Sequence, residues 1–187
     1  MKIVVAPDSF KECLSAADVA EAISTGLTKA IPNAEIIKLP IADGGEGTTD
    51  ALVSATGGKF FFANVRDSLG RRHEARWGIL GNQHTAVIEV ASACGLNSVP
   101  IEQRNPLLTT SYGVGELIIE ALDYGAKNII LGLGGSATND GGTGLMQALG
   151  VKFLDALGKE VSPGGGNLQY IQNIDTTVNQ NGLILTA

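Results

Sequence analysis

The sequence predicts an α/β protein, with a parallel strand–helix–strand unit at the start and a second α/β part of mixed and antiparallel strands after it. Three observations carry this prediction. Two short apolar runs, KIVVA and AEIIKLP, flank a single helical pattern, and a tight strand–helix–strand return favours parallel pairing. The middle of the chain has a different texture: KFFFANV, HEARWGIL and TAVIEV are β-rich pieces separated by glycine-containing turns, the signature of antiparallel pairing. The 25 glycines are also bunched where strands end, at ADGGEGT, LGLGGSATNDGGTG and SPGGG. Glycine in such places serves backbone that approaches something closely or takes positive φ.

Taken in order, KIVVA reads as a buried strand, and the Ser15–Asp18 pair forms a capping box that opens a helix. Val19, Ala20, Ile23, Leu27 and Ala30 follow at helical spacing, and Pro32 with Asn33 ends the pattern. AEIIKLP is the second strand. TTDALVSA is a short helix closed by Gly57 and Gly58, and the three β-rich pieces come next. A helix is expected from about Tyr112 to Tyr124, with Leu117, Ile118 and Leu122 on one face, and then the strand NIILGL. The texture change places a domain boundary near residue 63, dividing the chain into residues 1–63 and 64–187. The final GLILTA reads as the start of a core strand, so the chain is expected to be truncated at 187.

Composition excludes several classes. Apolar residues make up 44% and charged residues 17%, which suits a packed globular protein and not a disordered one. A net charge of −6 with 5% aromatics argues against a nucleic-acid surface. The apolar runs are far too short for a membrane helix, and the N-terminus lacks the pattern of a signal peptide. Cys13 and Cys94 have no partner at metal-ligand spacing and read as reduced thiols, so a cytoplasmic location is expected.

Chemistry concentrates in three loops that follow strands. The first holds Asp8, Ser9 and Lys11, where a lysine suits an anionic group and an acid suits a metal or a hydroxyl. The second holds Asp43, Gly44, Gly45, Glu46, Gly47 and Thr48. The third, LGLGGSATNDGGTG, resembles no Walker A loop, since no Gly-Lys-Ser/Thr follows, and no nucleophile elbow, since Thr138 replaces the last glycine. Gly132 to Ala137 does fit G-x-G-x-x-A, with Asp155 about 20 residues further on, so a nicotinamide-dependent dehydrogenase is a distant alternative. Against it, Gly141, Gly142 and Gly144 interrupt the long helix that such a fingerprint opens. The remaining reading is a phosphate cradle: backbone N–H groups of Gly134, Gly135, Gly141 and Gly142, with side-chain donors from Ser136, Thr138 and Asn139. Asp140 then either binds Mg²⁺ or takes a hydroxyl proton, or it simply caps the next helix. Arg104, before Asn105 and Pro106, can hold a carboxylate. His73, His84 and Trp77 read as structural.

PDSFK, PIADGGEGT, TAVIEVASACGL, RNPL, TTSYGVGEL and LGLGGSATNDGGTGLMQALG occur in this order, together with DALG and PGGG. In these motifs the chain resembles the bacterial glycerate kinase family from its first residue to its last. The resemblance implies a Rossmann-like domain with a second α/β domain inserted in it, and an active site in the cleft between. It implies ATP- and Mg²⁺-dependent phosphorylation of D-glycerate, with the 2-hydroxyl favoured as acceptor and 2-phosphoglycerate as product. The expected partner is that small molecule, with no nucleic acid or membrane, and a homodimer is left open. In this reading Asp43, Asp140 and Lys11 are catalytic, Asp43 and Asp140 serve the metal, and the 134–142 loop takes the nucleotide phosphates. Asp8, Ser9, Gly44, Gly45, Glu46 and Arg104 take the substrate. Family members are longer, so the alternative is a truncated, non-catalytic fragment of such a kinase.

Overall fold

A computed structural model describes residues 1–10 and 13–177. The chain opens with strand β1 (Lys2–Val5), helix α1 (Ala16–Ala30) and strand β2 (Glu35–Lys38), and β1 pairs with β2 in parallel, Lys2 opposite Glu35. Ser15 caps α1 as the sequence predicts. Its hydroxyl accepts from the Asp18 N–H at 3.2 Å and donates to the Asp18 carboxylate at 2.6 Å. Capping of this kind satisfies N–H groups that have no partner inside the helix.

Helix α2 (Thr48–Thr56) leads into a four-stranded sheet of β3 (Lys59–Arg66), β4 (Arg72–Ile79), β5 (Thr85–Glu89) and β6 (Asn128–Gly132), in that spatial order. β4 runs antiparallel to both β3 and β5, whereas β5 and β6 pair in parallel. The expected mixed α/β architecture is therefore present. Strand β3 is continuous through residue 63, because the alternation of KFFFANVR keeps Ala63 and Val65 on the core face across that point.

The core lies between this sheet and the helices α3 (Val90–Cys94) and α4 (Tyr112–Tyr124). Val65, Trp77, Ile79 and Ile88 face Val114, Leu117 and Ala121, all of them buried. Phe61, Trp77 and Tyr124 stack at one end, with ring centroids 4.5–5.9 Å apart. On the opposite face α2 lies across β4, where Gly78 leaves the space that Val53 fills. Covered on both sides, β5 is buried at every position, as a central strand beside a parallel partner must be. Helix α5 (Thr143–Ala148), strands β7 (Lys152–Leu154) and β8 (Asn173–Asp175), and an intervening 3₁₀ turn at Gly165–Tyr170 complete the described chain. The GLILTA segment lies outside the described residues.

Candidate active site

The loop after β6 and the loop before α2 touch through bare backbone. The Gly134 N–H donates to the Gly44 carbonyl at 2.9 Å. A Cβ at Gly134 would stand 2.5 Å from the Gly45 Cα, and one at Gly132 would stand 2.6 Å from the Gly44 oxygen. Part of the glycine richness thus serves contact between two loops and not contact with a ligand. Gly44 and Gly134 are spent on this junction, which fixes how the loops face one another.

The junction forms the wall of a cleft of about 410 Å³. Asp8 and Ser9 enter it from the loop after β1, Asp43, Gly45 and Glu46 from the loop before α2, and Gly134 and Gly135 from the loop after β6. Three of the expected acid- and glycine-bearing loops therefore converge. Asp43 is exposed here, and one carboxylate oxygen accepts from the Gly45 N–H at 2.8 Å. Asp8 accepts from the Ser9 N–H at 2.6 Å. Glu46 accepts from the Asn97 side-chain amide at 2.7 Å, and Asn97 lines the cleft with Leu96. The sequence singles out neither of these two, since they sit in the plain-looking stretch GLNS. Lys11 lies outside the described residues.

A second hollow of about 220 Å³ brings together Arg104, Ser136, Thr138 and Asn139. The Arg104 guanidinium donates to the Val99 and Leu96 carbonyls at 3.1 and 3.3 Å. A third, of about 330 Å³, is lined by Ser136, Thr138, Asn139, Asp140, Gly141 and Gly142 among others. The Ser136 and Thr138 hydroxyls bond to each other at 2.8 Å. Among the described residues, the N–H groups of Gly135, Ser136, Asn139 and Gly141 donate to no protein acceptor, so the loop carries four backbone donors without a partner in the fold.

Asp140 is the opposite of Asp43. It is 1% exposed, and its carboxylate receives four donors: the Ser111 N–H at 2.8 Å, the Ser111 hydroxyl at 3.0 Å, the Gly142 N–H at 3.1 Å and the Gly144 N–H at 3.2 Å. It ties the start of α4 to the start of α5, where a negative group also meets the positive end of a helix. This is the capping alternative left open by the sequence. Asp140 holds the loop's shape from behind. Nearby, burial pushes the Cys94 thiol up to about 12, and the Asp140 carboxylate adds to that effect, so Cys94 is an inert core group. His73 and His84 bond to backbone carbonyls and stand apart from the cleft. Among the described residues no group of three or more His, Cys, Asp or Glu is placed to hold a metal ion by protein ligands alone, and no helix is long and apolar enough to cross a membrane.

The dinucleotide fingerprint fails on geometry. After Gly132 the chain turns for ten residues before the six-residue α5 begins, and the Gly134 N–H is already bonded to Gly44. Asp155 is a turn former, accepting from the Leu157 and Lys159 N–H groups at 2.9 Å each.

Fold and site together define an α/β protein whose acid- and glycine-bearing loops follow parallel strands and share one cleft, the position where open α/β sheets take ligands. The sequence pattern described as the Glycerate kinase family matches residues 3–184, and the chain belongs to that family. It is 55% identical over 175 residues to a glycerate 2-kinase of Escherichia coli strain K12, covering 94% of this chain and 46% of that protein. To a glycerate kinase of Bacillus subtilis strain 168 it is 54% identical over 177 residues, covering 95% and 46%. A crystal structure from Salmonella typhimurium LT2, provisionally named glycerate kinase 2, superposes with a TM-score of 0.80 at 51% identity, covering 96% of this chain and 48% of that one. The chain thus spans a little under half the length of the curated relatives it matches.

Proposed function

We propose that the protein to which this chain belongs is a glycerate kinase that transfers a phosphoryl group from ATP to D-glycerate, with the 2-hydroxyl as acceptor and 2-phosphoglycerate as product. The observation that carries this reading is the convergence of Asp8, Asp43, Glu46 and the 134–135 backbone on one cleft in a chain of this family. The name glycerate 2-kinase, borne by the Escherichia coli relative, supports the 2-hydroxyl.

Roles divide by exposure. Asp43, open to the cleft, accepts the hydroxyl proton of glycerate. The donors of Gly135, Ser136, Asn139 and Gly141 suit nucleotide phosphates, since N–H groups in a glycine-rich turn form an anion-binding concavity. Arg104, oriented by bonds to two carbonyls, suits a carboxylate or a phosphate. The donor set also fits Mg²⁺, which binds through one or two carboxylates plus substrate phosphates and needs no all-protein cage; Asp8, which lines the same cleft, would hold it beside Asp43. When bound, the ion neutralises charge that develops on the transferred group. Asp140 positions the loop.

The test is a coupled ADP-release assay with D-glycerate, ATP and Mg²⁺, run on this chain alone and mixed with the C-terminal half of the Escherichia coli relative. Glycerate-dependent turnover in either arm is expected. Glu46 and Arg104 variants should raise KM, whereas Asp43→Asn should cut turnover at least a hundredfold. A non-catalytic fragment predicts silence in both arms. If Asp43→Asn and Asp140→Asn both kept near-normal turnover, the role assignments would be wrong.

A further inference from the structure

We infer that Glu89 is a positioning residue that holds the two ligand-facing loops in a fixed relation. The inference rests on the proposed kinase site for its functional consequence, but not for its structural one. Glu89 ends β5, a strand buried throughout, and is itself only 7% exposed. A carboxylate in such a place is costly unless it has partners. One oxygen accepts from the Thr49 N–H at 2.6 Å, across 40 residues of sequence.

That bond answers a need of α2. The helix is preceded by Gly47 in the left-handed region, which has no side chain to cap it. The Thr48 hydroxyl is turned back into the loop, donating to the Gly45 carbonyl at 2.7 Å and accepting from the Gly44 N–H at 3.1 Å. Glu89 therefore supplies from another element the acceptor that the helix start lacks, and places negative charge at its positive end.

The same residue also abuts the second loop. Glu89 stands opposite Gly132 in the β5–β6 pair, and a Cβ at Gly132 would meet the Gly44 oxygen at 2.6 Å and the Glu89 Cγ at 3.6 Å. One side chain thus bonds to the start of α2, the helix that follows the Asp43 loop, and packs beside Gly132 at the end of β6, from which the Gly134 loop leaves. It does not line the cleft, so its action is through the loops.

Amide hydrogen exchange on this chain, in wild type, Glu89→Ala and Glu89→Gln, tests the inference. Glu89→Ala should speed exchange at least tenfold in residues 44–49 and 132–135 together, while residues 61–65 in β3 stay unchanged. Glu89→Gln, which keeps an oxygen acceptor, should stay within threefold of wild type. In the ADP-release assay kcat should fall at least tenfold in Glu89→Ala with the KM for ATP within threefold, and Glu89→Gln should recover most of it. Faster exchange in one loop only, or uniformly through the chain, would overturn the inference, as would Glu89→Gln behaving like Glu89→Ala. Absence of turnover in wild type would sink the kinase reading alone, since the exchange pattern still decides the positioning role. Should Glu89→Ala fail to fold, Glu89→Asp, which withdraws the acceptor by one methylene, is read at the same two loops.

Discussion

Replacing Gly134 by alanine should part the two site loops. The new Cβ would sit 2.5 Å from the Gly45 Cα and 2.9 Å from its nitrogen, about an ångström short of ordinary contact. Both are backbone atoms, so no side chain can swing aside. Overpacking of this kind costs about 1–3 kcal/mol. Losing the Gly134 to Gly44 hydrogen bond costs about 0.5–1.5 kcal/mol more. Restriction of the unfolded chain returns about 0.4–1 kcal/mol. A net loss near 2.5 kcal/mol lowers the melting midpoint by about 5–10 °C for a chain of this size. A displacement of about 1 Å at a reacting centre costs on the order of a hundredfold in rate, so glycerate-dependent ADP release should fall by about that factor. Gly70→Ala is the control: Gly70 has φ +82° in the β3–β4 turn with open space around it, so it loses stability through strain alone. It should keep its turnover. Unchanged melting and turnover in Gly134→Ala, or equal loss of turnover in both variants, would refute the reasoning.

Three other outcomes follow from the same contacts. Gly26→Ala, in an exposed stretch of α1 with nothing near the added methyl, should stabilise the chain by about 0.5–1 kcal/mol in urea unfolding. Burial pulls the Asp67 carboxyl upward, but the Arg71 N–H and guanidinium and the Leu69 N–H outweigh this and hold it below the usual carboxylate range. A depressed folded-state value gives stability that is present above the unfolded value, near pH 4, and is lost as the pH falls through the folded value. Asp67→Asn should therefore cost about 1.5–3 kcal/mol at neutral pH and converge with wild type in acid, as unfolding curves between pH 2 and 7 would show. A thiol reagent at pH 8 should label exposed Cys13 in the folded chain and buried Cys94 only after unfolding.

Local signals made much of this architecture readable. The capping pair at Ser15, the spacing of Leu117 and Ile118 and the apolar runs of β1 and β5 each report on their own neighbourhood, and the structure places helices and strands there. The convergence of Asp8, Asp43 and Gly134 was foreseeable because each loop follows a strand end. What escaped depends on distant partners. The cap at Asp140 needs Ser111, 29 residues away, so the sequence alone leaves base and cap equally open. Glu89 looks like one acid in an apolar strand until Thr49 arrives from 40 residues away. The bare backbone at Gly132 and Gly134 reads as ligand contact, yet a neighbouring loop fills that space.

The proposed kinase site requires that the three loops bind ligand as one unit. An amide-resolved NMR titration of this chain with Mg²⁺–ATP and, separately, with D-glycerate tests it most directly. Shifts should be confined to residues 8–9, 43–46, 96–97, 104 and 134–142, with saturation at one common concentration for each ligand. Shifts centred elsewhere, or loops that respond at different concentrations of the same ligand, would contradict it.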